Sequence, residues 1–447
     1  MKKQGESPCK DNGGGVKPLK YHRKLWYSVI GLLVQATRLI FGARTDKAAR
    51  KAYLKDRTPK LILVNHASPI DFIFVCQAMW PRHGSFVVAE NMYYHKLFAW
   101  FLQRGGVITK KQFLPDFSCV RNIKNQIEAG VDVILFPEGK VANDGVAVAP
   151  PKSTVKLIKW LGCPVAAIKI KGAGISDPKW AAKRNRRGRI ETEIKDIMTA
   201  EEVKSLSSDE VYERVVNAIK HNDHEWQQEN GLKFYSSKFA VGLEKIFYKC
   251  PTCGEYYTFT SKKNIVKCGN CGLEVKYMHD GRLLPLNASN AAKAVDTAFI
   301  KSEDAAPAPD LINSEDAFSV PDRIDRWAAW QRECVRREVE ASTEFSLTEN
   351  VKIMTADSQA KKIRFAGDGT LRLDYKALTY EGTVDGEKKT LMFATDFLYT
   401  VACQPGLGID MYDDKNIYHF RFDESRAPAR FVTALEEIYK VKTAKGV

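Results

Sequence analysis

The stretch Val64-Asn65-His66-Ala67-Ser68-Pro69-Ile70-Asp71 marks the point where a strand pattern changes into a helix pattern. Residues 61–64, Leu-Ile-Leu-Val, are all apolar and predict a short buried strand. The Ser-Pro pair inside the stretch is typical of a helix N-cap and first helical residue, and residues 70–79 are largely apolar. The sequence therefore predicts that His66 lies on a strand-to-helix turn and that Asp71 lies in the first turn of the helix.

A histidine and an aspartate placed in this way allow three interpretations. In a Ser-His-Asp triad, a buried carboxylate holds an imidazole that takes a proton from a hydroxyl. His66 and Asp71 could do the same with a hydroxyl that belongs to the substrate, because no partner serine is evident in the sequence. Ser-x-x-Asp before an apolar run is also the pattern of a capping box. A metal site needs more ligands than one histidine and one aspartate.

Strand-like and helix-like patterns alternate between residues 60 and 200, which predicts an α/β domain with a mixed sheet flanked by helices. Functional residues of such folds gather in loops beyond the strand ends. One such loop, Phe136-Pro137-Glu138-Gly139-Lys140, follows a predicted strand at 131–136. Another, Gly105 to Lys111, ends in two lysines. Viewed singly, each is also an ordinary surface turn. The predicted helices of this region span 70–79, 92–103, 117–128 and 152–160.

Taken together, these stretches resemble the glycerolipid acyltransferase family, that is, lysophosphatidate acyltransferases and their relatives. The first block of the family is a His and an Asp separated by four residues, with Asn before it and Ser inside it. It corresponds to Asn65, His66, Ser68 and Asp71. The second block, Gly-x-Ile-x-x-x-Arg, is matched loosely by Gly105, Val107 and Lys111. The third, Phe-Pro-Glu-Gly-Thr-Arg, is matched by Phe136, Pro137, Glu138 and Gly139 and departs at Lys140 and Val141.

The resemblance covers about residues 25–220 and implies an acyltransferase domain at residues 60–240. It implies acyl transfer from an acyl thioester, either acyl-CoA or acyl-carrier protein, to the hydroxyl of lysophosphatidate or a similar lyso-glycerolipid in phospholipid synthesis. His66 would be the general base and Asp71 would orient its imidazole, so that no acyl-enzyme is needed. The substrate-binding residues implied are Asn65, Ser68, Gly105, Lys110, Lys111, Phe136, Pro137, Glu138, Gly139 and Lys140, with the lysines near the acceptor phosphate. Lysine in place of the family's arginine offers a single-point cation instead of a bidentate fork, which leaves the phosphorylated acceptor open.

The chain is strongly basic, with 69 Lys+Arg against 54 Asp+Glu and a net charge of +15, which favours anionic partners. The basic region 1–59 contains an apolar, Trp-containing segment at 25–41, which predicts either a helix lying in the membrane interface or a core helix. No apolar run reaches the length of about 18 residues that a spanning helix needs. We expect a peripheral or monotopic membrane protein that faces the cytoplasm and binds an anionic membrane surface. A nucleic-acid partner is not expected, because nucleic-acid binding would need only the charge and gives no reason for the apolar segment at 25–41.

Ten cysteines are present, and four of them form two Cys-x-x-Cys pairs separated by fourteen residues: Cys250, Cys253, Cys268 and Cys271. This spacing predicts a zinc ribbon at residues 241–284 with four thiolate ligands and a structural Zn ion. A redox dithiol is the alternative interpretation. The other cysteines are scattered, which fits a reducing compartment better than a disulfide framework.

The last third of the chain has a different composition. Residues 285–320 are rich in Ala, Asn, Asp, Ser and Pro and predict a flexible linker. Residues 321–447 predict a helix, about seven strands, including one at 397–401, and a final helix at 428–439. This order is similar to a pleckstrin-homology-like fold, which predicts an accessory lipid- or protein-binding role whose partner the sequence does not identify. Two other functions stay open: a catalytically silent membrane- or protein-binding adaptor, against which the intact His66 and Asp71 argue, and a nucleic-acid-binding zinc-ribbon protein.

Overall fold

The computed structural model describes residues 31–37, 43–94, 102, 105–182, 186–287, 320–357, 362–413 and 416–444. Its first unit is a mixed sheet, in which the antiparallel pairing of the sixth and seventh strands interrupts otherwise parallel neighbours. The strands are β1 Ala43–Thr45, β2 Leu61–Val64, β3 Gly84–Ala89, β4 Ile108–Lys110, β5 Asp132–Leu135, β6 Val165–Lys171 and β7 Ile190–Met198. Within the described residues their order across the sheet is β1-β7-β6-β2-β5-β3-β4. The predicted mixed α/β fold is confirmed.

Helices cover both faces of this sheet. They are α1 Lys47–Lys55, α2 Asp71–Met79, α3 Phe117–Glu128, α4 Ser153–Leu161, α5 Ala173–Ser176, α6 Ala200–Ser205, α7 Ser208–Ile219 and α8 Asp223–Glu229. Most of the helix predicted at 92–103 lies outside the described residues, and the described chain that leads into it forms a 3₁₀ turn at Glu90–Tyr94.

The central strand β2 is buried on both faces, which explains its unbroken apolar sequence. Leu61 and Leu63 pack into a core formed with α3, α4 and α7. Ile62 and Val64 point the other way, into a core formed with α1 and α2. Alternate residues of one strand therefore serve two cores, as the period of two requires.

The loops that contain the candidate site residues lie at the edge of the sheet where β2 and β5 end. The two strands are parallel and in register, with Leu63 opposite Leu135. The chain leaves both strands on the same side, so the loops that carry His66 and Phe136 meet. Strands β3 and β4 are also parallel and end on the same side, with Ala89 opposite Lys110.

A four-stranded antiparallel unit follows a 3₁₀ turn at Leu243–Lys245. It shares a core with the helix that comes after the linker: Trp327 stacks on Phe247 with ring centroids 4.2 Å apart and planes 5° from parallel. Asn287 still binds the Gly272 carbonyl, so this unit continues past the predicted start of the linker at residue 285, and residues 288–319 lie outside the described part. The strands are β8 Phe259–Lys262, β9 Ile265–Cys268, β10 Glu274–Tyr277 and β11 Leu283–Pro285.

The C-terminal region is rich in strands, as predicted, and the pairings of its described strands are all antiparallel. Their order across the sheet is β15-β14-β13-β12-β18-β17-β16. Helix α9, Ile324–Ala341, precedes this sheet, and helix α10, Ala427–Ala444, packs on it and on α9. The prediction of a strand at 397–401 is wrong, because a 3₁₀ turn at Thr395–Phe397 occupies the start of this segment. The strands are β12 Ser346–Asp357, β13 Lys362–Asp374, β14 Ala377–Val384, β15 Glu387–Ala394, β16 Ala402–Gln404, β17 Gly408–Tyr412 and β18 Asn416–Phe422.

Of the predicted interfacial segment at 25–41, residues 31–37 are described, and 31–36 are helical. Gln77 of α2 donates to the Val34 carbonyl and to Thr37 Oγ1, which fixes this turn of helix to the first unit. Leu32 and Leu33 are more than half exposed. None of the helices among the described residues is long and apolar enough to cross a bilayer.

Candidate active site

The side chains of His66 and Asp71 form a hydrogen-bonded pair at the end of β2. His66 Nδ1 lies 2.9 Å from Asp71 Oδ2. The Asp71 side chain is fully buried, whereas the His66 side chain retains 21% of its exposure. An aspartate that accepts the Nδ1 proton leaves Nε2 as the nitrogen that can take a proton from a bound molecule.

The same carboxylate oxygen also holds the turn between strand and helix. Asp71 Oδ2 accepts the backbone N–H groups of Ala67 and Ser68, both at 2.9 Å. The predicted helix start is corrected by this geometry: Ile70 is the N-cap, without a side-chain cap, and Asp71 reaches backwards to the loop. Burial raises the pKa of Asp71, and the hydrogen bonds from His66 and from Ser68 act in the opposite direction.

The loop after β5 cradles the backbone and the ring of His66. The Gly139 N–H donates to the Phe136 carbonyl, which closes a turn with the buried Pro137 in its second position. The Phe136 ring packs against the imidazole with centroids 4.3 Å apart. Glu138 accepts the N–H groups of His66 and Val148, each at 2.8 Å. These two hydrogen bonds join the loops that contain His66 and Val148. Burial raises the pKa of Glu138 to about 8.

Two residues predicted to bind substrate are placed inside the protein. Asn65 is buried, and its amide exchanges two 2.8 Å hydrogen bonds with the backbone of Ile170 on β6. Ser68 is fully buried, and its hydroxyl donates to Asp177 at 3.3 Å. Both side chains therefore position the His66 turn from behind. The role of Asp177 gave no signal in the sequence, because it lies more than a hundred residues away.

Lys110 ends β4 and Lys111 begins the loop after it, whereas Gly105 lies in the turn before this strand. The Lys110 ammonium donates to the carbonyls of Lys111 and Leu114, both at 3.2 Å, and so holds its own loop. The backbone N–H of Lys111 donates to Asp116 Oδ2 at 3.1 Å. The sequence is right that this loop is basic, but the Lys110 charge is turned towards backbone carbonyls.

Lys140, which is predicted to lie near the acceptor phosphate, is paired with residues of the C-terminal region. Its ammonium forms an ion pair with Glu436 of α10 and a 2.9 Å hydrogen bond to Thr400. Glu436 is also paired with Arg332 of α9 at 2.9 Å. The Lys140 charge is therefore matched inside the protein by a residue nearly three hundred positions away.

The buried Glu436 makes the stability of the protein sensitive to acid. Burial alone would raise the pKa of Glu436, but the charges of Lys140 and Arg332 outweigh it and hold the pKa at about 2, below the ordinary value of 4.5. The unfolded chain thus binds the proton first, so this stabilisation is present above about pH 4.5 and is lost as the pH falls towards 2. We expect Glu436→Gln to lower the free energy of unfolding at pH 7 by about 3–5 kcal/mol, because Lys140 loses its counter-charge and Arg332 keeps only its ion pair with Glu437.

Urea unfolding at pH 7 and at steps down to pH 3 measures both effects. Glu387→Gln is the matched control, since Glu387 pairs with Lys389 on the surface at 3.4 Å with its side chain 76% exposed. That change is expected to cost at most about 1 kcal/mol. Equal urea midpoints for the two variants would contradict the assignment.

The four cysteines predicted to bind zinc converge, and their sulfur atoms all lie within 4.8 Å of one another. Cys250 and Cys271 sulfurs are 3.7 Å apart, and Cys253 and Cys268 sulfurs are 3.9 Å apart. A disulfide would need about 2.05 Å. Tetrahedral Zn–S bonds of about 2.3 Å place sulfur atoms about 3.8 Å apart, so the donor set and its spacing fit a four-thiolate metal site.

Comparison with known proteins agrees with the location of the candidate site. Residues 47–171 match the family model described as Acyltransferase. This range contains His66, Asp71 and the loop 136–140, so the match to this family covers the part of the chain that holds the candidate site. No curated protein is similar enough to match the chain.

Among solved structures, the chain is similar to the crystal structure of the 1-acyl-sn-glycerophosphate (LPA) acyltransferase PlsC from Thermotoga maritima. The identity is 17%, the match covers 45% of this chain and 79% of that chain, and the TM-score is 0.38. A likeness of this size carries no weight for the activity.

Proposed function

We propose that this protein transfers an acyl group from an acyl thioester to the hydroxyl of a lyso-glycerolipid, with lysophosphatidate as the first acceptor to test. The observation that carries the proposal is the His66–Asp71 pair inside the acyltransferase domain. One imidazole nitrogen is held by a buried carboxylate, and the ring stays 21% exposed at the strand ends. This is the arrangement that a general base for a bound hydroxyl needs.

In the proposed reaction, His66 Nε2 takes the proton of the acceptor hydroxyl while the hydroxyl oxygen attacks the thioester carbonyl. The C–S bond then breaks, and the acyl group stays on the acceptor oxygen as an ester. The leaving thiolate takes the proton from His66 and becomes a thiol. Asp71 stabilises the imidazolium that exists between these transfers. No step oxidises or reduces any group.

The reaction uses no serine nucleophile. Ser68 is the serine nearest to His66 in sequence, and its hydroxyl is buried and directed to Asp177. In the proposed reaction the acyl group passes directly to the acceptor. Phe136 and Glu138 contribute by fixing the ring and the backbone of His66.

Two further parts of the proposal concern zinc and the membrane. We propose that Cys250, Cys253, Cys268 and Cys271 hold one Zn ion, which with four thiolates has no open position and stabilises the fold. We also propose that the protein binds an anionic membrane surface on its cytoplasmic side through its basic N-terminal region. The exposed Leu32 and Leu33 support this, because apolar side chains beside basic charge suit an interface.

The test is to offer the purified protein a panel of lyso-acceptors together with acyl-CoA or acyl-carrier protein, and to identify products by mass. We expect an acceptor that gains one acyl group, and a reaction that vanishes when the acceptor hydroxyl is replaced by hydrogen. Absence of any acylated product across the panel, with the protein folded and bound to vesicles, would instead favour a silent membrane adaptor.

A further inference from the structure

The β-rich domain contacts both loops of the candidate active site. Tyr412 ends strand β17, Tyr399 lies in the loop before β16, and Glu436 lies on α10. All three reach residues of the loops that follow β4 and β5. Three separate elements of one domain thus converge on the loops beside His66.

The first contact is a hydrogen-bond relay. The Tyr412 hydroxyl donates to Gln112 Oε1 at 3.0 Å, and Gln112 Nε2 donates to the Gly139 carbonyl at 2.9 Å. Glu138, the preceding residue, accepts the backbone N–H of His66. The relay therefore ends one residue away from a direct contact with the candidate base.

The second contact is aromatic and supports strained backbone. Phe113 has a φ of +60°. For a residue other than glycine, this backbone conformation costs about 1–3 kcal/mol. Tyr399 packs edge-on against the Phe113 ring, with centroids 5.7 Å apart. Gly139, at φ +72°, lies beside both, so that a Cβ atom there would be 3.4 Å from Phe113 and 3.6 Å from the Tyr399 hydroxyl.

The third contact is the ion pair between Lys140 and Glu436 described above. Leu114 also packs with Ala356, Tyr412 and Ile417 of the β-rich domain. Residues 112–114 and 139–140 are therefore held in place from outside the acyltransferase domain.

We propose that the β-rich domain is a positioning element of the acyl-transfer site, and that Tyr412 acts through Gln112 to fix the Gly139 carbonyl and the loop that cradles His66. The inference rests on the proposed function and goes beyond it, since it gives the appended domain a part in catalysis. Tyr412 and Gln112 are positioning residues, because they act on His66 through the loop.

The test compares two substitutions that each remove one buried hydroxyl. Tyr412→Phe removes the relay. Tyr418→Phe on the neighbouring strand β18 is the control, because the Tyr418 hydroxyl binds Asp413 at 2.7 Å and Asn416 at 3.3 Å within its own hairpin. We expect Tyr412→Phe to lower kcat by about three- to tenfold with KM for the thioester unchanged, as the loss of one neutral hydrogen bond predicts. Tyr418→Phe should stay within about twofold of wild type.

A double-mutant cycle tests the route through Gln112. If Tyr412 acts by this route, the double variant Tyr412→Phe/Gln112→Ala loses no more activity than Gln112→Ala alone. Fully additive losses, or a kcat for Tyr412→Phe equal to that of wild type, would overturn the proposal.

Hydrogen exchange gives a readout that does not depend on activity. Amides of residues 110–116 and 136–140 are expected to exchange faster in Tyr412→Phe and at the wild-type rate in Tyr418→Phe. Unchanged exchange in Tyr412→Phe overturns the positioning role. If wild type transfers no acyl group at all, the proposed function fails, and the exchange comparison still decides whether the β-rich domain holds the loops.

Discussion

Replacing His66 by alanine is expected to lower the rate of acyl transfer by about a hundred- to ten-thousand-fold, the usual contribution of a positioned proton transfer. The acceptor hydroxyl would then have to lose its proton to water while it attacks the thioester. Binding of both substrates should persist, because the loop 136–140 and the β-rich domain stay in place. The loss should therefore appear in kcat, measured from initial rates at saturating donor and acceptor.

The matched variant is Asp71→Asn, which keeps the shape of the buried side chain. Asp71 Oδ2 accepts from His66 Nδ1 and from the N–H groups of Ala67 and Ser68, so an asparagine oxygen at that position keeps all three hydrogen bonds. The substitution removes the negative charge that stabilises the imidazolium while His66 holds the proton of the acceptor hydroxyl. A loss of the same order with an unchanged melting temperature is expected. If His66→Ala keeps activity within about tenfold of wild type, His66 is not the base.

Removal of zinc is the second large effect we expect, because metal binding is part of the folding free energy of such sites. Structural zinc in four-ligand peptides contributes about 10–16 kcal/mol at pH 7. The cysteine cluster lies beside a shared core in which Trp327 stacks on Phe247. A Cys253→Ser/Cys271→Ser variant should lose the metal and unfold this region, which a drop in melting temperature and a change in tryptophan fluorescence would report.

Zinc content measured by mass spectrometry of the acid-digested protein provides the direct check. Wild type should contain one zinc per chain, and Cys334→Ser, a change on α9 outside the cluster, should contain the same amount. A wild-type protein that holds well under one zinc and melts like the double variant would contradict the assignment.

The sequence was sufficient where a local pattern determines the structure. Strand β2 and helix α3 lie at the predicted positions, because each is a complete apolar or amphipathic pattern bounded by turn residues. The convergence of His66 and the loop after β5 followed from two parallel strands that end at one edge. The cysteine spacing likewise predicted the sulfur cluster.

Other features depend on partners far away in the chain, which no local pattern encodes. Lys140 is basic in the sequence whether it faces a phosphate or Glu436, and only the packing of α10 decides between them. Gln112 stands in no recognisable sequence motif. Its proposed role depends on the hydrogen bond from Tyr412, which lies 300 residues later in the chain. Ser68 had the pattern of an N-cap, but the Asp71 carboxylate took the amide groups of the loop instead.

In the proposed reaction, the oxygen of an acceptor hydroxyl attacks the thioester directly with His66 as base. A lyso-acceptor carrying ¹⁸O in its free hydroxyl tests this claim in a single turnover with excess protein. The predicted result is an ester that retains the label, formed at a rate that collapses in His66→Ala, with no acylated protein detected along the way. An acylated protein that forms and decays at the rate of turnover, or release of the acyl group only as unlabelled free acid, would contradict it.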